Sequence, residues 1–358
     1  MSRSRSWKRN GSSYRRYGAV GRVFPWENLS DEELLDWRLC DLGLRLAGTV
    51  IEERIAKLYD ELLQRGIQFR PHCWLAEEWF SPDGVPGIAI PFYLVHPRLA
   101  RLEYRQVYEV EGGTRDWCMK ILRHEAGHAI DTAYRLSRRR SWRSIFGNAS
   151  LPYPDEYRPK PHSRDFVHHL GQWYAQSHPT EDFAETFAVW LKPRSRWRHD
   201  YAEWPALSKL EYVHRLMGEL AGRRPDVTSR AHVDPLRTER KTLREHYAAK
   251  RERYGIGYAS RLDRELFRLF EPNRGNGHLA LAATFLRNHR RGLRNDVAHA
   301  TGQNLYTVDQ VIQEMIDRCR ELRLRAGRPP RILRRETRSV LVDQTTRLLR
   351  NRHYKIAL

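Results

Sequence analysis

Apolar residues first recur at helical spacing just after residue 30. Ser30 with Glu33 three residues on makes the pattern of a capping box, and Leu34, Leu35, Leu42, Leu44, Leu46, Val50, Ile51, Ile55 and Leu58 follow as one apolar stripe. The pattern predicts a helix from Ser30 to about Gln64, stopped by Gly66. The period then shortens. His72 to Phe80 and Gly87 to Val95 read as two strands joined by a short connection, with Ser81-Pro82-Asp83-Gly84 as the turn-forming residues. Pro91 cannot donate to a ladder, which puts the second strand at a sheet edge. Helical spacing returns from about Arg115 to Leu136. A less regular stretch, 137–161, carries Arg138-Arg139-Arg140 and prolines at 152, 154, 159 and 161. Two more helices are predicted over 163–175 and 179–191, the latter with Pro179 in its first turn and Pro193 just past its end. Beyond Lys192 to Pro205 the pattern is almost wholly helical, punctuated by Gly and Pro near 222–225, 255–257, 272–277 and 327–330.

Charge divides the chain in the same places. Of 358 residues, 40% are hydrophobic and the net charge is +20. Residues 1–22 carry seven basic side chains and no acidic one. Residues 23–204 are close to neutral, at 24 basic and 27 acidic, while 205–358 hold 33 basic against 17 acidic. Three parts are therefore expected: a basic, disordered tail over 1–26, a domain over 27–204, and a basic helical domain over 205–358. The basic ends point to an electrostatic partner such as nucleic acid or the ribosome, set against the plainer reading of an Arg-rich surface. Cys40, Cys73, Cys118 and Cys319 are scattered, with no CxxC pair. That argues against a zinc ribbon or a disulfide framework and suits a reducing, cytoplasmic location. The N-terminus lacks the apolar core of a secretory signal, and no apolar run reaches the roughly 18–20 residues that span a bilayer.

The chemistry centres on His124-Glu125-Ala126-Gly127-His128. Positions i and i+4 of a helix share a face, so both imidazoles can grip one metal ion, and Glu125 then lies beside the ion's open position. Ile121, Leu122, Ala129 and Ile130 bury the rest of the helix. A third ligand is needed. The richest region is His178 to Trp190, where Glu181 and Glu185 share a helix face: one carboxylate can bind the ion while the other orients a ligand imidazole. Asp182, His178, His168 and His169 compete for that place.

The run HEAGHAID, then Tyr174, then EDFAETFA resembles gluzincin zinc metallopeptidases: the anthrax lethal-factor type and, more closely, the bacterial zinc-binding metallopeptidases that share the E-D-F-A-E-T signature. The resemblance covers about 85–192. It implies one zinc ion held by His124, His128 and Glu181, with Glu125 as catalytic base. It also implies that Tyr174, seven residues before the third ligand, steadies the oxyanion, that Glu185 lies behind the ligands, and that Asp131 has a supporting role. The fold implied is zincin-like α+β, mostly helical, with a small sheet whose edge strand flanks the active-site helix and a basic all-helical C-terminal region beyond. A peptide substrate is then expected to lie along residues 88–95 as an added strand.

In the basic region, Arg294 to Ala300, the turn Thr301-Gly302-Gln303-Asn304 and a helix from Thr307 have helix-turn-helix spacing. Arg318, Arg320, Arg323 and Arg325 are placed to meet phosphates. The alternative reading is therefore a nucleic-acid-binding or ribosome-associated helical protein with a structural or vestigial zinc site. No membrane partner is expected.

Overall fold

Two helices buried on nearly all faces organise the first part of the chain. In the computed structural model, which describes residues 23–350 apart from 108–109, 155–156, 158–159, 161–162, 171–172, 254–258, 273–278 and 302–304, the order runs as follows. First come α1 (Asp31–Leu35), α2 (Val50–Gln64), β1 (His72–Ala76), β2 (Gly87–Pro91), α3 (Pro97–Val107), α4 (Arg115–Tyr134) and α5 (Arg140–Phe146). Then follow α6 (Pro179–Leu191), α7 (Trp197–Asp200), α8 (Ala206–Leu220) and α9 (Leu243–Arg253). Fourteen of the twenty residues of α4 are buried, and in α6 everything from Glu181 to Leu191. Helices so enclosed sit in the middle of a core. α2, β2 and α6 all pack on α4.

The helix predicted over Ser30–Gln64 is two helices. Its capping box forms as expected, with Ser30 and Glu33 bonded reciprocally, but α1 ends after five residues. A short 3-10 turn over Leu39–Leu42 follows, then Gly43 and Gly48 in the left-handed region, and Thr49 caps α2 afresh. The apolar stripe is real, since Leu34, Leu42, Ile51, Ile55 and Leu58 all enter one core, but the helix that carries it is broken by the glycines.

Both strands form, the first ending at Ala76 rather than Phe80, and they pair parallel, in the register His72↔Gly87 through Ala76↔Pro91. β2 is shorter than predicted: it ends at Pro91, and Phe92–Val95 turns into a 3-10 helix. The edge does not offer a peptide site. Every residue from Ile88 to Val95 is buried, and the Ala89 N–H is already donated to the Phe80 carbonyl. Residues 163–175 are not a helix either. Among the described residues of this stretch, Tyr174–Gln176 makes a 3-10 turn, after Trp173 in a left-handed conformation. Tertiary contacts take the backbone donors a helix would have used: the Leu170 N–H goes to a Glu185 carboxylate oxygen and the His168 N–H to the Tyr201 hydroxyl.

The chain divides into two compact units between Lys250 and Arg251, later than the expected boundary at 204/205. The reason is packing: Leu210, Val213, Leu216 and Met217 of α8, with Leu243 and Tyr247 of α9, belong to the same apolar cluster as α4 and α6. Buried ion pairs cross that cluster, Arg123–Glu61 between α4 and α2, Lys209–Asp182 between α8 and α6, and Lys250–Glu103 between α9 and α3.

The second unit is built from α10 (Ala259–Leu269), β3 (Ala280–Leu281), α11 (Ala282–Thr301), α12 (Leu305–Glu321), β4 (Arg325–Ala326) and α13 (Pro330–Arg350). β3 and β4 form a two-residue antiparallel ladder. The first helix of the predicted helix-turn-helix is the end of the twenty-residue α11, and residues 302–304 of its turn lie outside the described residues, as does the tail over 1–22. Arg294 pairs with Asp309, Arg318 with Asp263 and Glu321, and Arg320 with Asp317. All four cysteines are free thiols. No helix among the described residues is long and apolar enough to cross a membrane.

Candidate metal centre

The close approach of α4 and α6 sets the site. A Cβ on Gly127 would stand 2.9 Å from the Cα of Ala184, so only glycine at this position lets the two helices come so near. His124 and His128, one turn apart on α4, face α6 with their Nε2 atoms 3.1 Å from each other. α6 opens with His178 as its N-cap and Pro179 in its first turn, which sets Glu181 at the start of the helix. Glu181 Oε2 lies 2.9 Å from His124 Nε2 and 3.1 Å from His128 Nε2.

These three atoms form a nearly equilateral triangle, and the residues that carry them can hold one metal ion. Ligand atoms at about 2.0–2.1 Å from a tetrahedral zinc ion stand about 3.3 Å apart. The triangle is within a few tenths of an ångström of that spacing. The donor set, two imidazoles and a carboxylate, is also that of zinc. Three such atoms this close need a proton or a cation among them, and two imidazoles with a carboxylate on one triangle fit a metal ion.

Electrostatics agree with a site built to hold a positive charge. Burial disfavours the charged form of His124, but Glu181 on one ring nitrogen and Glu185 on the other outweigh it and raise its pKa well above the usual histidine value. Burial likewise works against the Glu181 carboxylate, and His128 and His124 reverse the effect and hold it well below the usual range. Glu185 Oε1 is 2.9 Å from His124 Nδ1, and its Oε2 accepts the Leu170 N–H at 2.9 Å. A proton held on Nδ1 leaves Nε2 with its lone pair toward Glu181.

Glu125 is buried beside the triangle. Among the described residues its Oε2 has no hydrogen-bond partner, and burial raises its pKa. The Ser81 hydroxyl, from the β1–β2 connection, donates to the Glu125 carbonyl at 3.0 Å and ties that connection to α4. The Tyr174 ring lies 5.5 Å from that of His124. Burial, then the nearby Glu181 and Glu125 carboxylates, raise the pKa of its phenol well above the usual value. Asp131 stands apart, its Oδ1 accepting the Ser137 N–H at 2.6 Å across the turn that ends α4.

The competing ligands of the sequence reading are engaged elsewhere. His178 gives Nε2 to the Leu151 carbonyl, His169 gives Nε2 to the Lys120 carbonyl, and Asp182 pairs with Lys209, while His168 packs edge-on against Trp204. Two residues of the site were missed in the sequence. Gly127 carries no assigned role in the sequence, though a glycine inside a helix asks for a packing reason. Tyr153, whose hydroxyl donates to Glu181 Oε1 at 2.7 Å, lies in the irregular stretch and carried no signal beyond its flanking prolines.

A family model described as "putative zinc-binding metallo-peptidase" matches residues 118–202, less than a third of the chain. The span takes in α4 from Cys118 onward and the whole of α6, and so every residue of the His–His–Glu group. No curated protein matches the chain. No solved structure matches it. Over residues 118–202, then, the chain is similar to zinc-binding metallopeptidases.

Proposed function

We propose that the chain is a zinc-dependent peptidase of the gluzincin kind, with His124, His128 and Glu181 holding one zinc ion and Glu125 as the base. One observation carries the reading: three ligand atoms converge within 3.1 Å of each other beside a buried glutamate whose Oε2 has no partner among the described residues. The similarity over 118–202 supports it and makes peptides the substrate class.

Zinc, when bound, supplies a Lewis acid that lowers the pKa of water from about 15.7 toward about 7 and polarises a carbonyl. The remaining work falls to the chain. Glu125 Oε2 accepts the proton of the attacking water, the water oxygen bonds to the carbonyl carbon, and Glu125 passes the proton to the amine as the C–N bond breaks. Burial, which raises the pKa of Glu125, suits a carboxylate that must hold a proton between these steps. The Tyr174 phenol keeps its proton in this environment and can donate it in a hydrogen bond to the oxyanion. Glu185 fixes the ring of His124, and Asp131 secures the end of α4 behind His128.

Glu125→Gln tests the reading. The variant should keep its zinc and lose at least about 100-fold in peptide hydrolysis, the scale of a general base. Hydrolysis at the wild-type rate by the zinc-loaded variant would contradict it.

A further inference from the structure

We infer that Tyr153 is a positioning residue for the metal site: it holds the outer oxygen of Glu181, so that the carboxylate presents a single oxygen to the histidines. The inference rests on the reading of His124, His128 and Glu181 as the zinc ligands.

Glu181 is split between two environments. Oε2 faces His124 and His128, while Oε1 accepts the Tyr153 hydroxyl at 2.7 Å. Tyr153 belongs to neither of the helices that carry the site. It lies between Pro152 and Pro154, outside any helix or strand, where a residue preceding proline is kept from helical backbone. Its ring stacks on His178, centroids 4.0 Å apart and planes at 19°, and its hydroxyl also meets the Thr180 hydroxyl. His178 in turn gives Nε2 to the Leu151 carbonyl at 3.0 Å. The segment 151–153 is thus fastened to the first turn of α6 by a carbonyl, a ring face and a hydroxyl. All three fastenings lie within three residues of Glu181.

The consequence follows from carboxylate chemistry. A carboxylate has two equivalent oxygens and turns easily about its last torsion, so it can meet a cation with one oxygen or with both. Glu181 is only 4% exposed, and water is a poor alternative partner for Oε1. The Tyr153 hydrogen bond satisfies that oxygen, stops the rotation and withdraws it from the ion. The site then keeps three protein ligands and an open fourth position, as a catalytic zinc site requires. Tyr174 has a different post, against the ring of His124.

Tyr153 is 50% exposed, so Tyr153→Phe keeps the stacked ring and the fold while deleting the hydroxyl. Two readouts apart from activity apply: zinc affinity by chelator competition, and the visible absorption of the cobalt-substituted protein, which weakens as coordination number rises above four. Tyr153→Phe should bind zinc about 10–100-fold more weakly, the usual cost of losing a partner that orients a ligand, and its cobalt spectrum should weaken. Tyr174→Phe should leave both readouts at wild type. A Tyr153→Phe protein with wild-type zinc affinity and cobalt spectrum would overturn the inference and leave the ligand assignment standing. Zinc fully retained in Glu181→Ala would overturn both.

Discussion

In the second unit the buried side chains are almost all apolar, from Leu266 in α10 to Leu341 in α13. Thr337, Gln344 and Thr345 are the buried polar residues among those described. The first unit buries an apolar core as well, and within it Glu61, Glu103, Arg123, His124, Glu125, Asp131, Glu181, Asp182, Glu185 and Lys250. Burying an ionisable group costs several kcal/mol unless it is paired and hydrogen-bonded. A chain that needs only to fold can do what the second unit does, keeping its arginines on the surface in pairs with acids, such as Arg290–Asp309 and Arg318–Asp263. The concentration of buried charge along α4 and α6 therefore marks where stability is spent on chemistry.

Breaking a buried pair in the first unit should have the largest effect on stability. Glu61 holds Arg123 in two hydrogen bonds, of 2.7 and 2.9 Å, directly before His124. Glu61→Ala leaves that guanidinium buried and unpaired, and a loss of about 3–5 kcal/mol is expected in chemical denaturation.

An acid-dependent effect comes next. Burial pushes His169 down to about 4, so the folded protein keeps it neutral while the unfolded chain takes up a proton near the ordinary value of about 6.5. Between these values the unfolded state binds more protons, so this group's contribution to stability is lost as pH falls from about 6.5 toward 4. The shift amounts to about 3 kcal/mol at most. His169→Gln, measured zinc-free beside the zinc-free wild type, should give a flatter stability curve across that window, and parallel curves would remove the argument.

Gly127→Ala should cost about 1–3 kcal/mol by overpacking against Ala184, even though alanine is the better helix former by about 1 kcal/mol. Zinc affinity should fall with it, since the same contact brings the histidines to Glu181. A more stable Gly127→Ala protein would show that the helices have room to move apart. The smallest effect belongs to the second unit. Asp309→Ala removes the partner of Arg290 and Arg294 where all three are partly exposed, and about 1 kcal/mol or less is expected. A loss as large as that of Glu61→Ala would erase the contrast between the units.

The site was more legible than the fold around it. Helix α6 announced itself by Pro179 and Pro193, and α4 by its apolar flanks, because these signals are local. The i,i+4 spacing of His124 with His128, and of Glu181 with Glu185, fixes which side chains share a face, and the structure sets those faces against each other. What the sequence could not carry were contacts whose partners are remote. Residues 163–175 have helical spacing, but their backbone donors are drawn away by Glu185 and Tyr201. Ser30–Gln64 has one apolar stripe, but Gly43 and Gly48, both at positive φ, break the helix that would carry it. β1 and β2 pair parallel and β2 packs on α4, and the turn residues between the strands announce neither. Tyr153 lies 28 residues from the carboxylate it holds, with no periodicity to point there.

Metal content tests most directly whether His124, His128 and Glu181 are the ligands of one zinc ion. Wild-type protein, purified and passed over a desalting column, should carry about one zinc per chain by elemental analysis. His124→Ala and Glu181→Ala should carry almost none, while Glu185→Ala should retain zinc with weakened affinity. Zinc retained in full by Glu181→Ala and lost in Glu185→Ala would move the third ligand one turn along α6 and contradict the account at its centre.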